Sequence, residues 1–365
     1  MILARYIARR FLRMVLIVFV IFLWLMMLID LLDQIRRFKQ AAITLAQAAQ
    51  LSALKVPETL YTILPLIVIL AAVALFLGLA RSSELVVVRS AGRSGLRFLV
   101  APVVVAVLLG IFAVSVLDPI VAGTSRRYEA MAGRLDRGGS VLSLSKEGLW
   151  LRQGSDAGQM VIHAGRASPE GTRLFSVSFL RFDPGGRPVT RVDAAEAVLK
   201  PGFWLLTGAR TWDLLSANPE ASSDPTPRDG IRVASDLTAE RIRAGFGKPS
   251  SIPIWDLPAY IAELERAGFA ARQHRIWMQM EFALPLMLVA MVLVAAGFTM
   301  RHARSGGTGR MVLLALLAGF GLFFLRSFAQ VLGENGQIAI VLAAWSPPVI
   351  GIMGSLGLLL HLEDG

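Results

Sequence analysis

Long apolar runs dominate the pattern of this chain. A helix needs about 20 mostly apolar residues to cross a bilayer core. Six stretches qualify, roughly 11–31, 58–80, 96–118, 276–300, 310–332 and 338–360. Pro57-Glu58 predicts the start of the second, with a proline and an acid in the first helical turn. Pro347-Pro348 predicts a kink or break in the sixth. The first run, about Phe11 to Ile29, has no small-residue cleavage site and charged sequence follows it. We expect it to be retained as a span rather than removed.

Between the third and fourth runs the period changes. In Leu174–Phe182, Phe175, Val177 and Phe179 share one face of an expected strand. Gly148–Arg152 and Met160–His163 flank the turn-rich segment Gly154-Ser155-Asp156-Ala157-Gly158. Val189–Leu199 and Phe203–Leu214 flank Lys200-Pro201-Gly202, a hairpin signal. Ile231–Leu237 predicts another strand, and Asn218–Asp229, rich in Pro, Ser and Asp, predicts a loop. Asp256–Ala267 has helical spacing, with Leu257, Ile261 and Leu264 on one stripe. The expected fold class is an α-helical polytopic membrane protein of 3+3 spans with an inserted β-rich domain. The expected division is 1–137, 138–252 and 253–365.

Composition agrees. Charged residues make up 17% and hydrophobic ones 55%, with mean hydropathy +0.60; soluble domains carry about 25% charged residues. The net charge of +11 is compatible with nucleic-acid binding in general. Here the cations sit at the ends of apolar runs, so they read as topology signals and anionic-lipid contacts. Arg5, Arg9, Arg10 and Arg13, then Arg81, Arg89, Arg93 and Arg97, then Arg301, Arg304 and Arg310 all fall on one side if six spans alternate. That side is expected to be the cytoplasm, with both termini on it. The segment 118–275 then lies outside, with 21 Lys/Arg against 18 Asp/Glu, the balance of an ordinary soluble domain.

Several chemistries have no sequence basis. The chain has no cysteine, so disulfides, thiolate metal sites and cysteine nucleophiles are excluded. Gly247-Lys248-Pro249 lacks the rest of a phosphate loop, and no dinucleotide fingerprint, zincin motif or nucleophile elbow occurs. The four histidines have no ligand-spaced partner. We expect no catalytic residue, no metal and no cofactor on this chain; any ATP and Mg would belong to a separate ATPase.

Three segments stand out. Ser82–Gly92, SSELVVVRSAG, has an N-capping serine, Glu84 in the first turn and a glycine stop. One reading is an interfacial helix. The other is a helix that inserts into a cytoplasmic ATPase, with Ser83, Glu84, Leu85 and Arg89 as its contacts. After the first span come Arg36, Arg37 and Lys39, on the side where cations are disfavoured. They either snorkel to lipid or meet a phosphorylated ligand. After the third span come Arg126, Arg127, Arg134 and Arg137, interleaved with Glu129 and Asp136. They form either a solvated salt-bridged helix or a second phosphate-facing cluster, across a cavity from the first. Inside the runs, Glu281 is expected to pair with an arginine, and Arg326 to snorkel.

Local sequences RYIARRFL (5–12), DLLDQIRRF (30–38), ARSSELVVVRSAGRS (80–94) and GGSVLSLSKEGLWLR (138–152) resemble those of the YjgP/YjgQ permease family, the LptF and LptG subunits of lipopolysaccharide export, and the LptG type most closely. The resemblance spans essentially the whole chain. It implies a periplasmic β-jellyroll and an inner-membrane location. It implies a pseudo-symmetric pairing with an LptF-type permease over an LptB-type ATPase dimer, an LptC-type bridge protein beside the first span, and lipopolysaccharide as cargo. By the same resemblance Glu84 contacts the ATPase, and Arg36 and Arg37 meet lipid phosphates. Arg126 and Arg127 lie near a basic pair of the family, although the spacing differs there.

Other classes stay open at this stage. The same fold would suit the LptF-type partner. An intramembrane lipid enzyme would use Glu281, Asp118 or His274. A membrane-anchored scaffold would use its external domain.

Overall fold

A computed structural model describes residues 2–39, 43–81, 95–135, 141–145, 148–155, 158–168, 172–183, 185–216, 224–225, 230–235, 237–238, 248–266, 271–300 and 308–363. The predicted helix at Ser82–Gly92 lies outside them. The described helices are α1 (Ile2–Arg37), α2 (Leu45–Thr62), α3 (Leu64–Arg81), α4 (Gly95–Phe112), α5 (Asp118–Leu135), α6 (Leu257–Arg266), α7 (Arg272–Thr299), α8 (Thr308–Glu334) and α9 (Ile340–Glu363). A π-helical turn, Ala113–Leu117, joins α4 to α5. The chain forms two compact units: Met1–Tyr128 with Arg272–Gly365, and Glu129–Ala271.

Among the described residues five helical segments are long and apolar enough to cross a membrane, and a sixth if α2 and α3 count as one span bent by 64°. The second span therefore departs from expectation. It does not begin at Pro57-Glu58. Thr44 caps α2 thirteen residues earlier, accepting from the Gln47 amide while Gln47 returns a bond to the cap backbone, a reciprocal box that fixes a helix start. The break at Ile63 has a plain cause. Pro65 has no amide hydrogen to give Tyr61, and it disfavours helical backbone before it. Pro347-Pro348, by contrast, do not break α9, which is one helix from Ile340 to Glu363.

α7 is the axis of the helical unit. Its most apolar window is 78% buried, against 6% for α1 and 17% for α8. With lipid as the solvent, helices gain by close packing rather than by hiding apolar surface from water. Glycines permit that here. A Cβ on Gly110 would collide with Pro285 of α7, and one on Gly319 with Ile69 of α3.

The second unit is an antiparallel sheet of β1 (Val141–Ser145), β2 (Gly148–Ser155), β3 (Gly158–Ala167), β4 (Arg173–Phe182), β5 (Pro188–Lys200), β6 (Phe203–Thr207), β7 (Arg210–Asp213), β8 (Asp224–Pro225) and β9 (Ile231–Ala234). The order is β1-β2-β3-β4-β5-β6-β9, with β7 pairing β5 and β8. Trp204 is fully buried beside Phe179, ring centroids 6.3 Å apart. Leu257, Ile261 and Leu264 of α6 are buried, as their stripe predicts.

Two local corrections share a backbone cause. The buried face of β4 is Leu174, Val177 and Phe179, and Phe175 is only half-buried. Ser176 has φ 53°, which shifts the period-2 alternation by one residue. The predicted strand Phe203–Leu214 is divided at Gly208, φ 62°. β6 then pairs with one half of β5 and β7 with the other. Of the expected loop Asn218–Asp229, the described pair Asp224–Pro225 bridges to β7.

Candidate functional site

The end of α1 carries two arginines in its last turn, where cations suit the helix dipole. Arg37 Nη1 donates to the Tyr128 hydroxyl of α5 at 3.1 Å. That hydroxyl donates in turn to Gln34 Oε1 at 3.3 Å, and Gln34 Nε2 donates to Asp30 Oδ2 at 3.2 Å. Gln34 and Tyr128 are buried, 1% and 5% exposed. Lys55 of α2 sits 5.6 Å from the Tyr128 ring centroid and pairs with Glu58 at 2.5 Å. The Arg37 guanidinium lies 5.3 Å from the ring centroid of buried Phe38.

A buried phenol thus ties α1, α2 and α5 together. The side chains of Arg36, Arg37, Lys39, Arg126 and Arg127 are exposed around it. The two basic clusters do not face each other across a cavity. Tyr128, next in sequence to Arg127, joins α5 to the end of α1. Exposed guanidiniums held at the foot by buried hydrogen bonds suit bidentate binding of phosphate. Arg134 lies in α5.

A second polar cluster is fully internal. Tyr61, two residues before the break at Ile63, donates to Glu281 Oε2 of α7. Glu281 is 0% exposed, and its other oxygen has no hydrogen-bond partner among the described residues. Asp118, the first residue of α5, is 1% exposed. Asp118 and Arg326 of α8 both lie within electrostatic reach of Glu281. The partner that hydrogen-bonds Glu281 is therefore a tyrosine, not the arginine the sequence predicts, and Arg326 is half-buried toward that cluster. Four elements meet there: α2, α5, α7 and α8.

Two further ties hold the last spans. Arg272 donates to the carbonyls of Gly333 and Ile338, each at 2.6 Å, closing the turn between α8 and α9. Trp345 Nε1 donates to Gln279 Oε1 at 3.0 Å. Among the described residues no three His, Cys, Asp or Glu side chains are grouped to hold a metal.

Over residues 5–361 the sequence matches the family described as lipopolysaccharide export system permease LptF/LptG. The chain belongs to the LptF/LptG family. It is similar to the lipopolysaccharide export system permease protein LptG of Escherichia coli K12, 24% identical over 314 residues that make up 84% of this chain and 81% of that protein. The LptG protein of Haemophilus influenzae is 23% identical over 296 residues, 80% of this chain and 78% of that protein. These relatives are named permease proteins, which fits a non-catalytic member of the LptF/LptG family. The apolar helices and the family together support a multi-pass membrane protein.

Of the predicted site residues, Arg36, Arg37, Lys39, Arg126 and Arg127 are described, and the structure gathers them at one end of α1 and α5. Ser83, Glu84, Leu85 and Arg89 lie outside the described residues. Lys55, Tyr128 and Gln34 were not singled out from the sequence. Tyr128 had a signal, an aromatic directly after two arginines, and Gln34 stands inside the family-like DLLDQIRRF. Tyr61 and Glu281 are 220 residues apart, and nothing local links them.

Proposed function

We propose that this chain is the LptG-type permease subunit of a transporter that takes lipopolysaccharide from the outer leaflet of the inner membrane and passes it to a periplasmic bridge. In this reading it pairs with an LptF-type permease. ATP is hydrolysed, with Mg, on a separate LptB-type dimer, and an LptC-type protein sits beside α1. Both termini are cytoplasmic and the sheet unit is periplasmic. Glu84, flanked by Ser83, Leu85 and Arg89, transmits the nucleotide state. The cations Arg36, Arg37, Lys39, Arg126, Arg127 and Arg134 receive lipid phosphates. The chain makes and breaks no bond; it couples two states of a lipid cavity to the ATPase.

The observation that carries this is the bond from Arg37 to Tyr128, 91 residues apart. It makes one basic rim out of two segments that each violate the charge rule. The test is a photo-crosslinking probe at Ile35 in the complex purified with its co-expressed partners. Arg36→Glu with Arg37→Glu is expected to cut lipopolysaccharide crosslinks about tenfold or more, since charge-assisted bonds are worth about 1.5–3 kcal/mol each. Unchanged crosslinking would remove the rim from the cargo path. Glu84→Ala is expected to abolish lipid-stimulated ATP hydrolysis; full stimulation would remove the coupling role.

A further inference from the structure

At its other end α1 meets α4, and the two leave a furrow of about 700 Å³. That is the size range of small-molecule and cofactor sites, about 300–1,000 Å³. The furrow exists because small residues face each other. Ala4 and Ala8 are one turn apart on α1, and Ala101 and Val105 one turn apart on α4. Buried Ile7 and Phe98 form its floor. Val104 and Leu108, 49% and 60% exposed, form an open side wall.

The furrow has one charged lining residue, Arg5. Arg5 and Arg9 are exposed, one turn apart. Arg10 is engaged otherwise: it donates to the Tyr6 hydroxyl at 2.8 Å and lies against Gly78 of α3. The first acid in the chain is Asp30, so nothing on this stretch of α1 neutralises the pair. The place is also separate from the rim. Arg5 and Arg36 are 31 residues apart on one helix, about 45 Å at 1.5 Å per residue.

An apolar furrow open to lipid that ends at two exposed guanidiniums has the shape and charge of a chain under a phosphate. We propose that it holds one acyl chain of an anionic glycerophospholipid, with Arg5 and Arg9 on the headgroup phosphate. Its place in the inner leaflet rests on the orientation proposed above; the binding itself does not. The site is a resident-lipid site at the opposite end of α1 from the proposed cargo entry.

The experiment is native mass spectrometry of the whole complex, stripped of lipid and titrated with phosphatidylglycerol. The wild type is expected to retain one phosphatidylglycerol at this site, and phosphatidylcholine not to replace it. Val104→Trp fills the open wall without entering the packed floor and is expected to weaken retention about tenfold, as is Arg5→Glu with Arg9→Glu. Arg310→Glu, an exposed arginine that does not line the furrow, is the control and is expected to change nothing. Equal retention of phosphatidylcholine, unchanged retention in Val104→Trp, or an equal loss in Arg310→Glu would overturn the proposal. So would loss of a partner subunit in Val104→Trp, since the furrow would then be a protein contact. Retention is read with no ATP and no lipopolysaccharide, so a failure of the export reading leaves this result standing.

Discussion

The helical unit contains two polar clusters built around a tyrosine, and they differ in what surrounds the hydroxyl. At the rim, Tyr128 is buried but its bonding partner Arg37 reaches open surface. In the interior, Tyr61 bonds a carboxylate that is wholly enclosed. A charge at a surface keeps its water, so its pairing contributes little to stability and much to recognition. A charge in an apolar interior has only the partners the fold supplies, so removing one is costly. The same phenol is therefore a support for binding in one place and a fastener between helices in the other.

The largest expected effect tests the interior side. Glu281→Ala leaves the Tyr61 hydroxyl and Arg326 without their acid and opens a cavity. It should destabilise the helical unit by about 3 kcal/mol, read from tryptophan fluorescence during unfolding in bicelles. A loss below about 0.5 kcal/mol would erase the contrast between the clusters. Tyr61→Phe keeps the packing and removes one bond. The expected cost is about 1–2 kcal/mol, in line with interhelical hydrogen bonds in membranes.

The rim should behave in the opposite way. Arg36→Gln or Arg127→Gln is expected to shift stability by less than about 0.5 kcal/mol, while lowering lipopolysaccharide crosslinking. Tyr128→Phe sharpens the point. It removes the hydroxyl between Arg37 and Gln34, so both stability and crosslinking should fall by a modest amount.

The smallest effect lies in the sheet unit. Asp183 accepts the Arg187 amide at 2.8 Å and its guanidinium at 3.2 Å in the turn between β4 and β5. These bonds, the backbone one first, hold the Asp183 carboxyl below its ordinary value. Its stabilisation is therefore complete above the ordinary carboxylate range and is lost as pH falls through the lowered folded value. Amide exchange in the turn should quicken at acidic pH, and Asp183→Asn should remove that acid-dependent step. Exchange in Asp183→Asn with the same acid dependence as wild type would reject the assignment.

Much of the architecture was readable because membrane spans and half-buried strands leave strong periodic marks. The stripe Leu257, Ile261, Leu264 and the hairpin at Lys200-Pro201-Gly202 came through as predicted. The misses were backbone events. Pro57 looked like a helix start, but the capping box at Thr44 and the missing amide of Pro65 set the real boundaries. Ser176 shifted a strand's phase through a positive φ that a serine does not advertise. The rim was half legible. Its arginines stood out against the charge rule, whereas Lys55 was hidden in an amphipathic helix. The Tyr61–Glu281 pair was illegible, because it exists only once α2 and α7 have packed.

The π-helical turn at Ala113–Leu117 carries one residue more than an α-helical path would. In a helix each residue advances the face by about 100°. Taking one residue out of that turn would swing everything after it by that angle, carrying Asp118 away from Glu281 and Tyr128 away from Arg37 together. The interior fastener and the rim are thus set in phase by one surplus residue. A lineage that lost it would have to re-invent both at once, which makes this turn a place where a single-codon deletion should be far less tolerated than most substitutions.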